Sequence, residues 1–312
     1  MTLARRAVAT VVVTLAGAAL WPGAGVAATT ANSSQAWYRH VVADLHPLQS
    51  TLLGALDAAS AWAGGSESAA KARREFERGL PVLERVHRAL RNLAPLPGHA
   101  SAHDDYTAAI GLYIASLQVD EAATEEKSGA LQEQLQHSYQ RLRRLGDIVF
   151  DQGTAELAPE LGSALAGPDV AAAAHVPDWS SDGLAPAAPL ASSWPGGATG
   201  SGSQPKAKWT AEVAMDGAPA QRAVGAALRG HFPQSKLGPM VVTLGAANAY
   251  VGSVPRAAGD PLAANRLRLG LLVDAEAIMV EEAAHLSHAS PHALAAIAMN
   301  LGSLGGTLRA ES

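Results

Sequence analysis

Apolar positions recur every three or four residues through most of this chain, and that period predicts helices. Trp37, Val41, Leu45, Leu48, Leu52, Leu56 and Ala59 form the first such face. Ser34 is positioned to cap it, Pro47 to kink it, and Gly64-Gly65 to stop it. Phe76, Leu80, Leu83, Val86, Leu90 and Leu93 form a second face, started by Ser66 or Ser68 and closed by Pro95 to Gly98. Its other positions are charged, and Gly79 and Pro81 imply a bend. Tyr106, Ile110, Tyr113, Ile114 and Leu117 make a third, opened by an approximate capping box at Ser101 to Asp104 and fading in the acidic run Asp120 to Glu126. After a turn at Ser128-Gly129, the fourth face runs from Leu131 through Leu135, Tyr139, Leu142 and Leu145 to Val149 and Phe150. Four amphipathic helices joined by short turns predict an antiparallel bundle over 34–165.

The pattern then breaks. Residues 167–207 are rich in Gly, Pro, Ala and Ser and cannot bury enough apolar surface to offset their ordering entropy, so a flexible linker is expected. Trp179 and Trp194 are unusual within it, as loosely tucked aromatics or as a short binding motif. Helical periods return over 208–312. Candidates are Pro219 to Arg229, Met240 to Val254, a helix opened by Asp260-Pro261 and running to about His288, and a last one from Ser290-Pro291 to Leu304, ended by Gly305-Gly306. Leu267 to Val273 is apolar nearly all round and should be central. The expected class is therefore all-α: bundle, linker and C-terminal helical domain. Ala108 to Glu126 and Ala263 to Glu282 look loosely alike, as a diverged duplication would.

The first 28 residues do not belong to this fold. Arg5 and Arg6 precede an apolar run from Ala7 to Leu20, and Pro22 and Gly23 lead into small residues. That is a secretory signal, with cleavage expected after Ala28. The run is about 14 residues where a bilayer span needs roughly 20, so no stable membrane span is expected after cleavage. Ala7-Val8-Ala9 does not suit a twin-arginine signal, which favours general secretion. The absence of cysteine excludes a lipoprotein, disulfides, thiol nucleophiles and Cys-ligated metals. Without Arg5 and Arg6 the chain has 21 Lys and Arg against 28 Asp and Glu, a formal charge of −7. That mild acidity argues against a nucleic-acid binder.

Candidate chemistry is sparse. Glu281, Glu282, His285 and His288 form the best metal run, since Glu282 and His285 share a helix face and a Glu-x-x-His pair is half of a ferritin-like di-metal motif. Glu84 and His87 repeat that spacing, and His99 and His103 are four apart beside Asp104 and Asp105. No complete ligand set is evident, and solvated helix surface or capping explains each more simply. The cluster Asp120, Glu121, Glu125 and Glu126 reads as a charged helix end, and Asp274 and Glu276 as members of internal ion pairs with other helices. No Gly-x-Ser-x-Gly elbow, His-Glu-x-x-His, phosphate loop or calcium loop is present.

Leu145-Gly146-Asp147-Ile148-Val149-Phe150-Asp151-Gln152, Trp37-Tyr38, the signal and the Ala/Arg/Leu-rich helices together resemble exported helical proteins of high-GC actinobacteria. The resemblance spans the N-terminal half and implies export and a bundle, with no activity attached. The expected function is a non-enzymatic exported binding module, secreted to the envelope or medium, with an unknown protein or envelope component as partner and no cofactor. The alternatives are a metal-binding bundle and an enzyme of unrecognised type.

Overall fold

The computed structural model describes residues 51–161, 218–253 and 261–310, apart from positions 52, 53, 56, 96 and 232. The signal with its cleavage point at Ala28, most of the first helical face, the linker with Trp179 and Trp194, and Asp260 lie outside the described residues. Those described form helices and no strand: the chain is all-α. Beyond the turn of a first helical segment (57–63), the long helices are α1 (Ala69–Asn92), α2 (Ala100–Glu125), α3 (Gly129–Leu161), α4 (Ala218–Ala226), α5 (Leu237–Ser253), α6 (Pro261–Leu286) and α7 (Pro291–Ala310). A π turn (Ala227–His231) follows α4, and a short 3-10 turn precedes α5.

Local sequence explains most starts and stops. Ser68 caps α1, its hydroxyl accepting the Lys71 amide at 3.3 Å. Gly65 ends the preceding segment at φ 71°, a left-handed conformation that favours glycine. Pro81 lies inside α1 on its exposed side, while Ala72, Phe76, Gly79, Leu83, Val86 and Leu90 are buried along the other. Three expectations need correction. Ser101 does not close a capping box but donates to Glu156 Oε1 at 2.7 Å. Helix α2 does not fade at Asp120, because Val119, Asp120, Ala122 and Ala123 are all buried and packing holds it to Glu125. Gly305-Gly306 does not end α7, which runs to Ala310 because Gly305 is a packing residue.

The described residues divide into two compact units whose border cuts across α2 and α3; the expected linker over 167–207 lies outside the described residues. One unit holds residues up to 111 together with 146–161. There α1 meets the start of α2 through His103 Nε2, which donates to the Leu90 carbonyl at 2.8 Å. Tyr106 and Phe150 pack edge to face at 4.9 Å, and Tyr106 hydrogen-bonds Thr154 at 3.0 Å.

The other unit holds 112–145 and 218–310. Its centre is α6, buried on every side from Asn265 to Glu281 apart from Arg268, and packed on α5 and α7. The α6–α7 crossing depends on two glycines. A Cβ on Gly270 would fall 2.6 Å from Arg309 Cγ and 2.9 Å from the Gly305 carbonyl; one on Gly305 would fall 3.0 Å from the Gly270 carbonyl. No side chain fits, so the backbones touch. Within this unit α3 and α6 share a buried ion pair, Arg141 with Glu276, that no sequence period reveals.

Candidate functional site

Polar chemistry in the second unit falls into three groups. The first is a pair of buried ion pairs on α6. Arg141 donates to both carboxylate oxygens of Glu276, at 3.2 Å from Nη2 to Oε2, and Nη2 also donates to Ser138 Oγ at 3.0 Å. Glu276 is 0% exposed, and burial pushes its carboxyl up while Arg141 and Ser138 oppose that. Asp274 pairs with Arg309 of α7 beside the two glycines, and burial draws the guanidinium down to about 10, still charged at neutral pH. Both acids behave as the sequence suggests, as internal ion-pair partners.

The second group is Asp120 alone. It is 1% exposed, its Oδ2 has no hydrogen-bond partner, and burial pushes its carboxyl up to about 7. The expectation of a charged helix end does not hold at Asp120, which lies inside the core. The signal lay in its neighbours, since Leu117, Val119, Ala122 and Ala123 leave that turn no wet face except at Gln118 and Glu121.

The third group is a surface groove of about 350 Å³ between α2 and α7. Gln118, Glu121, Ala122 and Glu125 line one wall; Ser290, Ala293, Ala296, Ile297 and Asn300 line the other. The turn from α6 into α7 fixes one end. Ser290 Oγ donates to Glu125 Oε2 at 2.5 Å, and Ser287 Oγ donates to Glu126 while accepting the Ser290 amide at 3.0 Å. Two of the four acids of the 120–126 cluster are thus held by serines. Sequence reading missed this groove, because its second wall lies some 170 positions further along the chain.

The candidate metal residues do not assemble. His285 approaches Glu281, Nε2 to Oε1 at 3.5 Å, and its side chain is 46% exposed. Glu281 is buried with Oε2 unbonded, and burial pushes its carboxyl up while His285 opposes. Glu282 is half-buried, its carboxyl also pushed up by burial, and His288 is exposed in the turn beyond α6. Glu84 is exposed, while His87 is half-buried and lowered by desolvation and then by Arg91. His99 lies 3.7 Å from Glu156, and His103 has one nitrogen on Leu90 and the other 3.2 Å from Asp104. Adjacent residues on a helix diverge by about 100°, so Glu281 and Glu282 do not both face an ion held by His285. Among the described residues no group of three or more such side chains is placed to hold a metal.

Among the described residues no helix is long and apolar enough to cross a membrane. No family model matches the chain, and no curated protein or solved structure is similar to it.

Proposed function

We propose that this chain is an exported, non-enzymatic binding module whose partner seats in the α2–α7 groove. The groove itself carries the reading. Small residues, Ala122, Ala293 and Ala296, line it beside the buried Ile297 and let a partner backbone come close. Its rim offers the carboxylate of Glu121 and the amides of Gln118 and Asn300. Those groups can orient a ligand by hydrogen bonds and charge. An acidic, amide-lined groove fits a peptide segment bearing Lys or Arg. The signal-like first 28 residues support export.

Two measurements test this. N-terminal sequencing of the protein from culture medium is expected to begin at Thr29. A photo-crosslinking residue at Ala293 is expected to capture a discrete partner in cells, and one at Arg222, exposed on α4 and no part of the groove lining, is not. Equal capture at both positions, or none at Ala293, refutes the groove. Protein retained inside the cell with an intact N-terminus refutes export.

A further inference from the structure

The formal charge of −5 conceals a basic face. Helix α1 carries seven Lys and Arg against three Glu, a net of +4, which leaves −9 on the remainder of the chain. Lys71, Arg74, Arg78, Arg85 and Arg88 follow one another at steps of three, four, seven and three, so all five lie within about 50° of one line along the helix. Every one is exposed. The row is about 26 Å long, opposite the buried face of Phe76, Leu83 and Leu90.

Three of its guanidiniums have no carboxylate. Lys71 is paired with Glu67 and Arg78 with Glu75 at 2.7 Å, whereas Arg74, Arg85 and Arg88 make no ion pair among the described residues. Glu84 stands four residues before Arg88, at the spacing of a helical pair, and the pair is not made. Free, aligned and mostly arginine, the row presents forks suited to phosphate oxygens.

Its shape selects among anions. Pro81, Val82, Ala89 and Asn92 interrupt or adjoin the cations, and Val82 is half-buried, so the row has no aromatic to stack on a base and no large exposed apolar group to enter a bilayer. One side chain wide, it is bordered on one side by Arg73, Glu77, Glu84 and Arg91, whose charges cancel, and on the other by Glu75, which is paired with Arg78. An extended anionic plane would also meet that neutral border and repel the −9 carried elsewhere, while a thread of anions meets the row alone. Counterion release rewards the ligand of highest linear charge density, which a phosphate polymer supplies. We propose that the exposed row on α1 docks a linear phosphate polymer, by contacts to phosphate oxygens and independently of the α2–α7 groove.

The test is fluorescence anisotropy of labelled inorganic polyphosphate with the full chain across a series of salt concentrations. With five contacts, log K is expected to fall with log[salt] at a slope of about −3.5, taking roughly 0.7 per phosphate neutralised. Arg74→Gln, Arg85→Gln and Arg88→Gln together are expected to reduce that slope by about 2 and to weaken low-salt binding at least tenfold. All three are exposed, so the circular dichroism melt should be unchanged. Arg222→Gln, an exposed arginine on α4, should leave binding as it was. The proposal is overturned if the wild-type chain does not bind at low salt, or if the triple variant binds equally well. It is also overturned if anionic phospholipid vesicles bind more tightly than polyphosphate at equal phosphate and lose that binding in the variant, which would assign the row to a membrane.

Discussion

Asp120→Asn tests the interior of the second unit directly. The carboxyl is 1% exposed with an unbonded oxygen, and its proton is held up to about 7 against an ordinary value of 3.8. The cause is burial alone. In the unfolded chain the group ionises near 3.8, and in the fold it stays neutral until about 7. Unfolding between those values releases a proton, so stability is full below about 4 and is lost as pH rises towards 7. At about 1.4 kcal/mol per pH unit the loss reaches at most about 4 kcal/mol above pH 7. Asparagine has the same shape and does not titrate. Urea denaturation of wild type and variant between pH 4 and 8 is the assay. The two should be nearly equal at pH 4. At pH 8 the variant should be more stable, its midpoint higher by about 2 M if m is about 2 kcal/mol/M. Glu276, Glu281 and Glu282, all raised by burial, are present in both proteins and cancel in the difference. A wild-type-to-variant difference that stays flat across this range would falsify the reasoning.

Two further outcomes follow from the packing of α6. Arg141→Met leaves Glu276 buried without its cation and should cost about 3–5 kcal/mol, most of it recovered when Glu276→Leu is added; equal stability of the single and double variants, read by chemical denaturation, contradicts this. Gly305→Ala drives a methyl group to 3.0 Å from the Gly270 carbonyl and should lower stability by about 1–3 kcal/mol, whereas Ser303→Ala on the exposed side should stay within about 0.5; a thermal melt in which both behave alike removes the glycine crossing as a determinant.

Local interactions were legible in the sequence. Helix periods, the Ser68 cap, the stop at Gly64-Gly65, the start of α6 at Pro261 and the central burial of Leu267 to Val273 follow from side-chain spacing and backbone preference within a few residues. So does the alignment of the arginines on α1, although whole-chain charge averaged it away. What only the tertiary structure decided depends on which helix faces which. Gly305 reads as a stop until α6 lies against it, and Asp120 reads as solvated until packing closes over α2. Glu276 finds Arg141 at 135 residues' separation, and the groove draws one wall from α2 and the other from α7. The local period of a helix states that one face will be buried. It carries no information about the distant face that buries it, and the pairing of charges, the neutralisation of a carboxyl and the shape of a binding groove all depend on that partner.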